Sequence, residues 1–300
     1  MVVRTVTVAL GLIAAFSAEA AADPVIMAAG DIACDPADPG YNGGAGTADR
    51  CHQQATSDLV VGTPLDAVLP LGDIQYDSAT TARINAVYAP TWGRVKSISR
   101  PILGNHESGT ATGYFDYFNG PGASDGPAGP RGKGYYSFDL GAWHVISLNS
   151  NIGTDPGSAQ AAWLRADLAA SANARCTLAF WHHPVFSSGP NGNREAPVMR
   201  EIYRILYNAN VDLALVGHDH LYERFGPQDA DGRLDTARGI RQFVVGTGGV
   251  TLYDFEAIKP NSEVRLKAHG VLRLVLSSDR YQWDFLAVSG AGDSGSQACH

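Results

Sequence analysis

Apolar runs of strand length recur along this chain, and several stop abruptly at side chains able to hold a metal ion. VIMAAG (25–30) leads to Asp31, and VLPLG (68–72) leads to Asp73, with Tyr76 three residues on. PILG (101–104) runs into Asn105 and His106, LAFW (178–181) into His182 and His183, and LALVG (213–217) into His218 and His220. Several runs lack the alternation of a half-exposed strand, so both of their faces must be covered. In a sheet built of such strands the carboxyl ends form the binding edge, and these polar groups would converge there. Histidines two apart on extended backbone, as at 218 and 220, project to the same side.

Helical patterns lie between the runs, at His52–Val61, Ala79–Ala89, Gly157–Ser171 and Asn193–Tyr207. In SAQAAWLRADLAASA the apolar residues fall three and four apart. Further runs at 135–140, 142–150, 241–249, 271–278 and 281–288 make the tail hairpin-like. The order predicts an α/β chain, a sandwich with parallel central strands and antiparallel edges. Residues 107–134 have no long periodic segment and read as a functional or mobile loop. No repeat or linker composition divides the chain, so 23–300 reads as a single catalytic domain, and 45% apolar content suffices for its core.

The first residues, 1–22, have the form of a secretory leader: Arg4, an apolar stretch from Val6 to Phe16, then Ala18-Glu19-Ala20 as a cleavage site. That stretch falls short of the roughly 20 residues a membrane span needs. The expectation is an exported, extracellular protein whose mature chain starts between Ala21 and Asp23 and has no membrane span. Four cysteines suit an oxidising compartment. Cys34 and Cys51 bracket a Gly/Pro/Asp-rich loop whose closure would contribute about 3 kcal/mol, which leaves Cys176 and Cys299 as the second pair. A net charge of −8 argues against binding a nucleic-acid polymer. It does not exclude a small anionic substrate, because bound metal reverses the local field.

Taken singly, Asp31, Asp73 and Asn105 would be turn residues or helix caps, and the histidines would be satisfied core groups. Their shared placement at the ends of apolar runs makes that reading a string of coincidences. Carboxylates, an amide oxygen and imidazoles suit Zn, Mn and Fe rather than copper(I) or an iron–sulfur cluster. The set is too large for one tetrahedral ion. It suits two ions roughly 3.5–4 Å apart that share a carboxylate, an arrangement used for in-line displacement at phosphorus.

Together GD (30–31), GDIQY (72–76), GNHE (104–107), the strand ending in His182 and GHDH (217–220) resemble the calcineurin-like metallophosphoesterases. The tyrosine in GDIQY and the run GHDHLYER resemble the purple acid phosphatase branch, and GTGG (246–249) resembles a further family loop. The resemblance implies a four-layer α/β/β/α sandwich of two mixed sheets flanked by helices. It implies a first, ferric ion held by Asp31, Asp73, Tyr76 and His220. A second, divalent ion (Zn, Mn or Fe) would be held by Asn105, His182 and His218, with Asp73 bridging. In WHHP either histidine has the chemistry to ligate; the family's His-x-Pro pattern favours His182 and puts His183 near the substrate. His106 is the implied proton donor to the leaving group, with hydrogen bonding to a metal-bound carboxylate as its other reading. The first motif departs from the family, since GDIAC offers Ala33 where a further ligand often stands, which leaves Tyr76 to fill the gap. The implied substrate is a small phosphate monoester, with a diester as the alternative.

Rival readings find less support. GASDG (122–126) matches a serine-hydrolase elbow but lacks the preceding strand. GDSG (292–295) comes too late in the chain to build a pocket, and DADG (229–232) lacks the downstream Glu of a calcium loop. A non-catalytic exported metal-binding protein would be expected to lack a ligand, and none of the expected positions does. Tyr114, Phe115, Tyr117 and Phe118 either pack the 107–134 loop on itself or stack an aryl or nucleoside group.

Overall fold

Strand β1 (Val25–Ala29) runs parallel to β2 (Ala67–Pro70), with Ala28 opposite Leu69. On its other side β1 pairs antiparallel with β10 (Gly270–Leu276), followed outward by β11 (Arg280–Ala287) and β12 (Asp293–Ala298). A second sheet has the order β3-β4-β5-β6-β8-β7-β9. Its strands are β3 (Tyr136–Leu140), β4 (Trp143–Ser147), β5 (Cys176–Phe180), β6 (Leu213–Val216), β7 (Tyr222–Phe225), β8 (Arg241–Val245) and β9 (Ser262–Leu266). Strands β4, β5, β6 and β8 are mutually parallel, and antiparallel strands lie at the edges. This computed structural model describes residues 1–3, 22–107, 109–192 and 196–300; the expected leader falls almost wholly outside them.

Side-chain alternation divides the second sheet between two cores. Val145, Leu178, Phe180, Leu213, Leu215 and Phe243 point toward the first sheet and join Ile26, Leu272 and Leu274. Their neighbours Ile146, Ala179, Ala214, Val216 and Val244 point the other way, against Leu164, Met199, Ile202 and Leu206. The last four come from helices α4 (Ala159–Ala170) and α5 (Ala196–Asn208). Burial on both faces is why the parallel strands read as unbroken apolar runs. Helix α1 (Gln53–Val61) packs against β10 and completes the four-layer α/β/β/α sandwich. Ser158 caps α4 by accepting from the Ala161 amide at 3.1 Å, which starts that helix where the apolar spacing begins.

Both expected disulfides form, Cys34–Cys51 and Cys176–Cys299. The expected helix over Ala79–Ala89 is a short turn, α2 (Thr81–Arg83), continued by a π-helical turn over Ile84–Tyr88. Two expectations need correction. PILGN is not a strand but an extended segment beside β2, joined to it by Arg100 N–H to Val68 O and Ile102 N–H to Pro70 O. Pro101 between them turns its nitrogen away from β2 and has no N–H to offer a further strand on that outer side. The stretch 107–134 holds a helix, α3 (Thr112–Asn119), which buries Tyr114, Phe115 and Phe118. Those rings share one helical face turned to the core, so they are not a surface for stacking a ligand. Tyr117 is part-buried under the Lys96 ammonium, 4.4 Å from its ring centre. GASDG lies in a loop, GDSG begins edge strand β12, and Asp229 of DADG closes a turn onto the amides of Asp231 and Arg233.

Candidate metal centre

The parallel strands of both sheets point their carboxyl ends at one edge, and the polar residues following them meet there. Three of these residues have left-handed backbone: Asp31 (φ 60°), Asp73 (φ 47°) and His218 (φ 69°). Non-glycine residues seldom adopt that region, and such conformations persist where surrounding structure enforces them, as at functional sites. The tightness of the turns also explains a preceding glycine. A Cβ on Gly104 would fall 2.1 Å from Asp73 Oδ1, which no packing adjustment accommodates.

The donor atoms form two groups that share one oxygen. In the first, Tyr76 Oη lies 2.8 Å from Asp31 Oδ1, 2.9 Å from Asp73 Oδ2 and 3.1 Å from His220 Nε2. In the second, His182 Nε2 lies 3.2 Å from both Asp73 Oδ2 and Asn105 Oδ1, and 3.3 Å from His218 Nδ1. Bonds of ~2.1 Å to one ion at right angles would set neighbouring donors about 3 Å apart, as seen in both groups. The other nitrogens of two rings are held by backbone carbonyls, His182 Nδ1 by Leu71 at 2.7 Å and His220 Nδ1 by Thr251 at 2.8 Å. That hydrogen bond fixes the proton on Nδ1 and leaves Nε2 as a lone-pair donor aimed inward, the usual support for a ligating imidazole.

The electrostatics of this cluster call for positive charge. Asp31 and Asp73 are both fully buried. Burial raises the pKa of each, but His220 beside Asp31 and His182 beside Asp73 outweigh it and hold both carboxyls below their ordinary range. Burial works against a charged His182, yet Asp73 outweighs it and pushes that imidazole up to about 10. The Tyr76 phenol is pushed far above its ordinary value by burial first, then by Asp31 and Asp73. It becomes a phenolate ligand only next to a strongly polarising cation.

A supporting layer surrounds the donors. Glu107 is buried and accepts the amides of Asp73 (2.8 Å), Ile74 (3.0 Å) and Gly104 (2.8 Å), clamping the two ligand turns together. Burial, then Asp73, pushes its carboxyl up to about 8. The His106 amide donates to Asp73 Oδ1 at 2.8 Å, its Nδ1 faces the Asp77 carbonyl, and its Nε2 stands 3.8 Å from Asp73 Oδ2. Tyr253 stacks on His220 with ring centres 4.0 Å apart. Asp219, between the two ligand histidines, accepts from the Ser187 hydroxyl and the Asn191 amide. A cavity of about 420 Å³ opens beside Tyr76 and His220 and is walled by Asp35, Asp38, Asp77 and Tyr253.

Every ligand expected from the sequence therefore lies at this edge. Of the pair in WHHP, His182 enters the donor group, whereas His183 Nδ1 faces Ser150 Oγ at 2.7 Å. Glu107, Ser150, Asp219 and Tyr253 were not assigned roles from the sequence. Glu107 stands in the GNHE motif and Asp219 in GHDH, but nothing local marks the other two.

The family model for calcineurin-like phosphoesterases matches residues 24–222. Among curated proteins, purple acid phosphatase 15 of Arabidopsis thaliana is 30% identical over 226 residues, covering 64% of this chain and 41% of the relative. Purple acid phosphatase 22 of the same plant is 32% identical over 160 residues, covering 50% of this chain and 36% of the relative. The chain thus spans less than half the length of these relatives. Among solved structures, a purple acid phosphatase from yellow lupin seeds aligns with TM-score 0.69 at 20% identity, covering 92% of this chain and 53% of that one. A dimetal phosphatase from Danio rerio aligns with TM-score 0.58 at 16% identity, covering 93% and 100%. These structural likenesses support the fold, and the family match settles membership. The chain belongs to the calcineurin-like phosphoesterase family, and the two curated relatives named above are purple acid phosphatases.

Proposed function

We propose that this chain is an exported hydrolase of small phosphate monoesters, working at a pair of metal ions. Asp31, Asp73, Tyr76 and His220 would hold the first ion, which we take as ferric. Asn105, His182 and His218, with Asp73 shared, would hold a divalent Zn, Mn or Fe. The observation that carries this reading is the position of Asp73 Oδ2, 2.9 Å from Tyr76 Oη and 3.2 Å from His182 Nε2. One carboxylate oxygen at the junction of two donor groups is what a shared ligand requires. Bound there, two cations supply Lewis acidity toward the phosphoryl oxygens and toward an attacking water.

The chain's own residues do the rest. Glu107 and the left-handed turns hold the donors in place before substrate arrives, so no reorganisation is needed as charge develops. His106 would give the leaving oxygen its proton through Nε2, a reading supported by that atom's position 3.8 Å from Asp73 Oδ2. With Nδ1 committed to the Asp77 carbonyl, that transfer requires a ring protonated on both nitrogens. Both disulfides suit an oxidising compartment. Among the described residues no helix is long and apolar enough to cross a membrane.

The decisive measurement combines metal content, a visible spectrum and hydrolysis of 4-nitrophenyl phosphate beside bis(4-nitrophenyl) phosphate. Two metals per chain, a charge-transfer band lost in Tyr76→Phe, and faster monoester cleavage are expected. A faster diester reaction would move the assignment to a phosphodiesterase. One metal or none in an active protein would overturn the two-ion centre.

A further inference from the structure

Strand β3 is one edge of the larger sheet, and a cavity of about 510 Å³ runs along its open side. Tyr135, Tyr136, Ser137 and Phe138 all line it. Successive side chains of a strand face opposite ways, so a space touching four in a row lies at the strand's free edge. Tyr136 on one face donates to the Pro101 carbonyl at 2.8 Å, and Ser137 on the other donates to Asp167 at 2.6 Å. Arg100, Trp163 and residues of the 125–130 segment complete the walls, and no residue of either metal donor group takes part. The volume suits a small molecule.

The side chains around this cavity have donors and charges left over. Tyr135 is 7% exposed, and among the described residues its hydroxyl has no hydrogen-bond partner. Its ring centre lies 4.9 Å from that of Trp163, with the planes tilted by 43°, and the indole N–H of Trp163 is also unpartnered among the described residues. Arg100 donates from Nη1 to the Ser99 carbonyl at 3.1 Å, and its guanidinium lies 5.7 Å from the Phe138 ring centre. No carboxylate among the described residues pairs with it, nor with Lys133, whose ammonium stands 5.9 Å from the Tyr135 ring centre. Asp125 accepts only the Gly126 amide, at 2.8 Å. Two uncompensated cations therefore stand near one carboxylate, on a chain whose net charge is −8. That balance favours an anion.

We propose that this cleft binds an acidic saccharide, a short pyranose chain bearing carboxylates. The guanidinium fork of Arg100 matches a carboxylate in two parallel hydrogen bonds, which a point charge cannot do. Trp163 and Tyr135 offer ring faces to the C–H face of a pyranose. Sugar hydroxyls complete the Tyr135 hydroxyl, the Trp163 N–H and the Asp125 carboxylate, whereas a flat aryl carboxylate would desolvate those groups and leave them unpaired. Tyr136 pairs with Ser147, the last residue of β4, and β4 neighbours β5, whose end carries His182. Two strand spacings therefore put the cleft about 10 Å to the side of the metal edge. A saccharide held there leaves the metal donors uncovered, so the site stands whether or not the phosphoester reading does.

Isothermal titration calorimetry of the whole protein with trigalacturonate, its methyl ester and benzoate tests the cleft. Trigalacturonate should bind with one-to-one stoichiometry, and the uncharged ester at least about 10-fold more weakly, the scale of a lost charged hydrogen bond. Benzoate should not saturate. Arg100→Gln should weaken trigalacturonate by about 10–100-fold, Trp163→Ala by about 10-fold and Tyr135→Phe by about 3–10-fold. Trp163→Phe, which keeps a ring, should recover most of the Trp163→Ala loss. Unchanged melting curves for Arg100→Gln and Tyr135→Phe would separate lost binding from lost fold. Failure of trigalacturonate to saturate by about 10 mM would overturn the proposal. So would equal affinity for the methyl ester, which removes the carboxylate from recognition, or for benzoate, which removes the sugar. Binding that survives both Arg100→Gln and Trp163→Ala but is displaced by inorganic phosphate would place the carboxylates at the metal centre, and the cleft would lose its ligand.

Discussion

The two edges of the larger sheet carry the same residue types and use them in opposite ways. At the amino ends of β4, β5 and β6, His144 has a carboxylate for each nitrogen, Asp139 at 2.8 Å and Asp167 at 2.9 Å. Nearby, Asp212 takes the amides of Thr177 and His300, each at 2.8 Å. Cys176 and Cys299 stand beside Asp212 but are bonded to each other, so they cannot serve as thiolate ligands. Each partner in that cluster has a complementary one. At the carboxyl ends two buried carboxylates, an amide oxygen, a phenol and three imidazoles crowd into two groups that share Asp73 Oδ2, with Asp31, Asp73 and His218 on left-handed backbone. Histidine and aspartate alone therefore do not mark a metal centre. What sets the carboxyl edge apart is that its donor atoms converge in two groups on one shared carboxylate oxygen.

The contrast can be broken by experiment. The largest effect should come from Asp73→Asn, which leaves the shape but removes the shared charge. Metal content should drop, and kcat/KM should fall by at least about 10²–10³-fold, the scale for losing one preorganised electrostatic partner in a dry site. Retained stoichiometry and turnover would show that the edge is not built for ions. Next is replacement of Cys176 and Cys299 by serine. Opening a loop of 123 residues' separation should cost about 4–5 kcal/mol in denaturant unfolding while leaving metal content intact. A loss of metal would mean that the two edges are coupled.

The smallest effect is expected at His144. Burial opposes its charge, but Asp167 and Asp139 outweigh burial and raise its pKa above the ordinary value of about 6.5. Raised in the folded state, the group contributes stability that is complete below the unfolded value and is lost as pH rises through the folded one. His144→Asn should cost about 1–3 kcal/mol at pH 5. Its melting curve should converge on that of the unaltered chain as pH rises, with kcat unchanged. A pH-independent difference would mean that His144 is held neutral.

Legibility in the sequence followed how local the physics was. Apolar runs ending in a donor, with a glycine before it in all but β5, exposed β1, β2, β5 and β6 and the candidate ligands after them, because burial on both faces and a tight turn are written in adjacent residues. The PILGN segment read as a strand for the same reason, although it lies beside β2 as an extended segment joined through Arg100 and Ile102. Helix α3 was missed because its only signal is an aromatic face over eight residues, with Ala111 at its start in left-handed backbone and no side-chain cap. Tyr253, Ser150 and Asp219 were missed because each matters through a partner far along the chain or around a turn, His220, His183 and Ser187 respectively.

What the chain by itself determined was the inventory: which side chains can ligate, that they follow buried strands, and which cysteines are available to pair. Tertiary structure decided the assignment. It put His182 rather than His183 among the donors, set Asp73 Oδ2 between two groups, and gave each ring nitrogen a direction. Those outcomes depend on distances of about 3 Å between residues separated by up to two hundred positions. Only packed sheets fix such distances, and hydrogen bonds and ligand geometry respond to them steeply.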